Sequence, residues 1–219
     1  QRLITMEADS TPHELVEPQE DRVIFAVDHG ALFPAHAQAI TAQVMLVEAP
    51  ADDLLHLARI DAHDGPLDLS SVSLEPVVQE AVDKQRARAE DKDISFQAFV
   101  PDGLCAQSNR DALGHVIGNL VENAVKYSAN GGLVTVRAGA REGGRVLVEV
   151  IDVGYGIDPA NQERIFERFY RVDKGRSRAA GGTGLGLAIV KRLCNAIGAS
   201  VDVRSRPGKG SVFRVLLPG

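Results

Sequence analysis

Asn119, Asn123 and Lys126 stand at i, i+4 and i+7 in "NLVENAVKYS", so on a helix they share one face. An asparagine side-chain oxygen can ligate Mg²⁺, a hard cation that normally travels with nucleotide phosphates. A lysine supplies a point charge for a phosphate. The plainer alternative for such a row is a solvated polar face. Asp152 opens a second group, "DVGYGID", directly after a run of alternating β-branched residues. A buried carboxylate at a strand end can accept a hydrogen bond from the exocyclic amine of adenine. A site built on that bond rejects guanine, because its own polar group is then left unpaired. Gly154 and Gly156 make the turn and leave room for a flat base. The alternative here is an ordinary Asp-x-Gly turn between strands.

The third group is the run Gly181–Leu187, "GGTGLGL". It lacks the Gly-Lys-Ser/Thr ending of a P-loop, and it follows a polar stretch rather than a strand, so it is no dinucleotide fingerprint. It does open a helix: Leu185, Leu187, Ala188, Val190, Leu193 and Ile197 make an apolar face at helical spacing. Free backbone amides at a helix start suit a phosphate, and glycines let the backbone approach it. Alone, the run reads equally well as a flexible connector.

The elements that must hold these groups read as α/β. Helices are expected over Leu74–Glu90 and Asp111–Tyr127. The second buries Leu113, Val116, Ile117, Leu120, Val121 and Ala124, with Glu122 toward the flank. Strands are expected over Ile94–Val100, Leu133–Ala138, Arg145–Ile151, Val201–Arg204 and Val212–Leu217. Leu133–Ala138 and Arg145–Ile151 are expected to pair through the Gly143–Gly144 turn region, and "SRPGKG" turns the last pair. This order predicts one mixed sheet covered by helices on one face. "DGPLDLSSVSL", Asp64–Leu74, has the content of a linker. The expected organisation is therefore 1–63, a linker over 64–74, and 75–219.

Taken together, the pieces resemble the ATP-binding domain of sensor histidine kinases, in the superfamily with gyrase, Hsp90 and MutL. "NLVENAVKY" resembles the family's asparagine box and "DVGYGI" its first glycine box. "RIFERFYRVDKGRSR" resembles the phenylalanine box and lid, "GGTGLGLAIVKRL" the second glycine box, and "GKGSVFRVLLP" the closing strand. The resemblance runs from near Pro66 to Gly219. It implies ATP and Mg²⁺ as cofactors. It implies that Asn123 coordinates Mg²⁺ with Asn119 beside it, and that Lys126 and Arg171 hold phosphates while Tyr127 lines the pocket. Asp152 would read the adenine amine, supported by Gly154, Gly156 and Ile157. Phe166 and Phe169 would anchor, as core residues, a mobile lid over Val172–Gly181. Gly182, Thr183, Gly184, Leu185, Gly186 and Leu187 would shape its end and the phosphate contacts. Phosphoryl transfer needs mainly positioning and charge stabilisation, which this set supplies.

For residues 1–63 the resemblance implies a helical hairpin that dimerises and carries a phosphate-accepting histidine. Ile40, Val44, Val47, Ala51, Leu54 and Ala58 recur at steps of four and three, the seam of a bundled helix or of an amphipathic helix on a monomer core. "HELVEP" matches the family's His-Glu-Leu-x-x-Pro box, making His13 the acceptor and Glu14 the residue that takes or orients its proton. The plain alternative is a surface histidine near a terminus. Val16 and Glu17 depart from the family's Arg and Thr. An ionised Glu17 cannot donate the hydrogen bond that supports phosphatase activity, so that activity is expected to be weak. Val23–Val27, Gly30 and Pro34 suit a helix poorly.

Composition limits the rest. The chain has 219 residues, 44% hydrophobic, with net charge −6; it is long enough for one good core and a smaller element. No basic patch with interleaved aromatics argues for nucleic acid. Cys105 and Cys194 match no metal pattern and read as reduced, buried thiols of a cytoplasmic protein. No run is long enough to span a membrane; a membrane link is expected only through segments outside this chain, which begins at Gln1. The expected function is ATP-dependent histidine autophosphorylation within a homodimer, then transfer to a response regulator. The alternatives are a nucleotide-binding scaffold with a degraded acceptor segment, or a serine-directed kinase.

Overall fold

The computed structural model describes residues 22–25, 47–50, 67–172 and 183–219. The chain divides after Ala58 into two units.

In the first unit, β1 (Arg22–Phe25) pairs antiparallel with β2 (Val47–Pro50), Arg22 opposite Pro50 and Phe25 opposite Val47. The helical seam expected through Val47 therefore does not hold at that residue. Val23, Ile24 and Phe25 are β-branched or aromatic and favour extended backbone, and Pro50 sits at a strand end, where a missing N–H is tolerated. The rest of that seam lies outside the described residues.

The second unit is built on a five-stranded sheet. Its strands are β4 (Ser95–Phe99), β6 (Leu133–Ala140), β7 (Val146–Asp152), β8 (Ser200–Arg206) and β9 (Gly210–Leu217), in the order β4-β6-β7-β9-β8. The β4–β6 pair is parallel and the others antiparallel, so the sheet is mixed, as expected. Along β7 every second residue is buried: Val146, Val148, Val150, Asp152. This alternation is that of a sheet covered on one face. The cover is α1 (Leu74–Glu90), α2 (Arg110–Tyr127) and α3 (Gly186–Ala196). In α2 the predicted stripe, Leu113 to Ala124, is almost wholly inaccessible, and α2 packs against α1, α3 and the sheet.

Two corrections follow from a small second sheet. β3 (Ser70–Ser73) pairs antiparallel with β5 (Cys105–Ser108). Ser70–Ser73 is thus strand, not linker, its serines fitting the exposed side while Val72 is buried. Cys105 is exposed, not buried. Residues alternate sides along β5, and Ala106 and Ser108 occupy the inner one.

Candidate functional site

Asp152 ends β7 on the covered face, only 5% exposed. Its Oδ1 accepts the Gly154 N–H at 2.8 Å, and Ser211 lies beside the carboxylate, its polar groups favouring the charged form. Ser211 is there because β9 places it opposite Asp152, and β8 places Ser205 opposite Ser211. Burial pushes the Asp152 pKa above its ordinary 3.8, and the Gly154 and Ser211 donors oppose that rise without cancelling it. Ser205 Oγ accepts the Ile157 N–H at 2.8 Å, donates to the Gly210 carbonyl at 2.8 Å, and lies 3.1 Å from Ser211 Oγ. Gln162 Nε2 donates to the carbonyls of Ile157 and Ser205. Ser205, Ser211 and Gln162 were not among the residues singled out from sequence. Ser211 alone carried a signal, in "GKGS"; the other two depend on strand register.

The turn after Asp152 meets the end of α2. The Tyr155 N–H donates to the Tyr127 carbonyl at 3.3 Å, and Gly154 packs on that same carbonyl. Gly156 turns back against the Arg206 carbonyl. Lys126 Nζ stands 5.5 Å from the Tyr127 ring centre, and Tyr127 is partly open to solvent. The structure thus brings Asp152, Gly154, Gly156, Ile157, Lys126 and Tyr127 into one corner.

The α2 helix starts at Arg110 because Asn109 Oδ1 accepts the Ala112 N–H at 3.0 Å. Asn119 and Asn123 follow on it, both half-buried. Asn119 Nδ2 donates to the His115 carbonyl at 3.0 Å, leaving its Oδ1 turned to Gly186. A Cβ on Gly186 would stand 2.7 Å from that oxygen, so a larger residue there would require the Asn119 amide to turn away. Thr183 Oγ1 accepts the Leu185 N–H at 3.2 Å, and the N-cap residue of α3, Leu185, has no side-chain group to cap its first turn. Glu122 does point to the flank, 3.4 Å from Arg88 of α1. Leu187 is half-exposed, and Ile189 takes its expected place in the core.

Phe166 and Phe169 are half-buried rather than core; Ile165 is the buried residue of that segment. Arg164 stacks on the Tyr170 ring at 4.2 Å, and the Tyr170 hydroxyl donates to Asn161 at 2.7 Å. Nε and Nη2 of Arg171 are buried with no hydrogen-bond partner among the described residues. Buried guanidinium nitrogens without an acceptor are costly. His13, Glu14, Gly182 and nearly all of the expected lid, residues 173–181, lie outside the described residues. Among the described residues, no helix is long and apolar enough to cross a membrane.

Residues 108–219 match the family described as histidine kinase-, DNA gyrase B-, and HSP90-like ATPase. The chain belongs to this ATPase family. It is 34% identical over 232 residues to the sensor-like histidine kinase SenX3 of Mycolicibacterium smegmatis, a match covering 96% of this chain and 60% of that protein. Full-length ShkA, solved with AMPPNP, superposes with a TM-score of 0.67 at 35% identity, covering 77% of this chain and 35% of ShkA. The mycobacterial sensor histidine kinase MprB superposes with a TM-score of 0.59 at 30% identity, covering 69% of this chain and 98% of MprB. The chain spans little more than half the length of the curated relatives it matches first. Its second unit is a histidine kinase ATP-binding domain.

Proposed function

We propose that this chain is the kinase core of a two-component sensor kinase, moving the γ-phosphoryl group of ATP to His13 and then to an aspartate of a response regulator. The observation that carries the nucleotide half is Asp152. An ionised carboxylate has about four acceptor sites. One is taken by the Gly154 N–H, at Oδ1. The buried carboxylate keeps acceptor capacity for an N–H of the adenine amine, and guanine has no donor there. Lys126, Arg171 and the uncapped amides of α3 offer charge and donors to the phosphates. Asn123, with Asn119 beside it, fits a nucleotide-borne Mg²⁺, since amide oxygens are hard neutral ligands; the ion would neutralise charge shared by the β- and γ-phosphates.

In the transfer itself, a neutral nitrogen of His13 attacks the γ-phosphorus, the bond to the β–γ bridging oxygen breaks, and ADP leaves. Glu14 orients the imidazole or takes its proton. The likeness to SenX3 runs over 96% of the chain, so it includes the "HELVEP" segment. The reading carries with it a homodimer formed through residues 1–63 and a cytoplasmic setting. One observation favours a second reading, a nucleotide-dependent scaffold with an altered acceptor segment: the strand pair of β1 and β2 stands where a helical hairpin is expected. Mapping phosphate after incubation with Mg·ATP, under neutral conditions that preserve phosphohistidine, separates them. Phosphate on His13 is expected. Nucleotide binding without phosphate on any histidine would favour the scaffold.

A further inference from the structure

The carbonyls at the end of α2 are fully partnered, and one side chain from outside the helix partners most of them. The Ala124 carbonyl accepts the Ser128 N–H at 3.0 Å, and the Tyr127 carbonyl accepts the Tyr155 N–H at 3.3 Å. The remaining three, of Val125, Lys126 and Ser128, all accept from the Lys92 ammonium at 3.0, 2.9 and 3.2 Å. An ammonium has three N–H donors, and here each has its own carbonyl. A cation at a helix C-terminus also meets the negative end of the helix dipole.

Lys92 is itself fixed. It lies in the tight turn between α1 and β4, where its N–H donates to the Ala89 carbonyl at 3.1 Å and its carbonyl accepts the Gly131 N–H at 2.8 Å. Its partners include the backbone of Lys126, and the residue between Lys126 and Ser128 is Tyr127, whose carbonyl touches the Asp152 turn. The stem of Lys126 therefore starts from backbone that Lys92 holds.

We infer that Lys92 is a positioning residue of the nucleotide site, fixing the last turn of α2 so that Lys126 meets the phosphates while Asp152 meets the base. This rests on the ATP-site reading above. It predicts damage confined to the phosphate end, because Asp152 is held by the pairing of β7 with β9 and by the Gly154 N–H, not by Lys92.

The test is calorimetric binding of Mg·ATP and of adenosine to the full chain, well below each variant's melting midpoint. Lys92→Met keeps the length and removes all three donors. Its Mg·ATP affinity is expected to fall about tenfold and its adenosine affinity less than about twofold. Lys92→Arg keeps the cation, but its planar fork cannot converge on three carbonyls, so a smaller loss of the same selectivity is expected. Unchanged Mg·ATP affinity in the Met variant, or equal losses for both ligands, would overturn the inference. If the Met variant does not fold, the Arg variant decides: wild-type Mg·ATP affinity, or unselective loss, overturns it. If the wild-type chain binds no nucleotide, the ATP-site reading fails first and this inference with it.

Discussion

The Phe169 N–H donates to the Gly184 carbonyl at 2.9 Å, tying the end of the "FERF" segment to the approach of α3. Both residues have left-handed backbone, φ +62° at Phe169 and +76° at Gly184. Gly184 adopts this freely, whereas a bulky aromatic there stores about 1–3 kcal/mol of strain. The tie closes the base of the loop that joins the two segments. A Cβ on Gly184 would lie 2.9 Å from the Phe169 carbonyl carbon, backbone that cannot swing aside. Gly184→Ala is expected to cost about 1–2 kcal/mol locally, read as a roughly tenfold loss in ATP affinity with a small change in melting midpoint. Phe169→Gly relieves strain and should leave that midpoint unchanged or higher. A drop for Phe169→Gly as large as for Gly184→Ala would argue that the Phe169 ring, not the backbone tie, holds the segment.

Asp152 sets opposing demands on folding and binding. Its folded pKa is raised above 3.8, chiefly by burial. The folded chain thus keeps this proton to higher pH than the unfolded chain. The group's contribution to stability is full below the unfolded pKa and is lost as pH rises through the folded one. Adenine recognition needs the carboxylate, so ATP affinity should rise with pH over the same window. Parallel binding and melting curves from about pH 4 to 7 test this. The pH rise in affinity should vanish in Asp152→Asn, whose ATP binding should fall at least about a hundredfold. ATP affinity that is flat with pH in the wild type would separate Asp152 from the base.

Much of this was legible in the chain because periodicity and turn chemistry are local. The apolar stripe of α2 gave a helix that ends at Tyr127 as expected, and "SRPGKG" gave the turn between β8 and β9. What escaped depended on register and on partners far along the chain. Ser205 and Gln162 join the Asp152 network only because β8 and β9 pair as they do. Cys105 reads as a buried thiol until the pairing of β5 shows which side it faces. Lys92 carries no motif at all, since its role is visible only when the end of α2 arrives beside it.

The two cysteines give a direct check on the fold. Burial pushes the Cys194 thiol up to about 12, so at neutral pH it is almost wholly protonated, and it is inaccessible in α3. Cys105 is exposed on β5. The thiolate is the reactive form. A maleimide or disulfide reagent should therefore label Cys105 in the native chain, and Cys194 only after denaturation. Rapid native labelling of Cys194 would contradict the packing of α3 against α2.

Arg171 offers the sharpest separation of function from stability. Its Nε and Nη2 are buried without an acceptor among the described residues, which is unfavourable in the nucleotide-free chain. Arg171→Met removes those donors and keeps much of the packing. The melting midpoint without nucleotide should therefore hold or rise. Mg·ATP affinity should fall about tenfold or more, since a charge-assisted contact to phosphate is lost, while adenosine affinity should stay level. ATP should then stabilise the variant less than it stabilises the wild type at equal concentration. A large fall in the nucleotide-free midpoint would mean that the guanidinium supports the fold instead. Equal losses for ATP and adenosine would place Arg171 away from the phosphates.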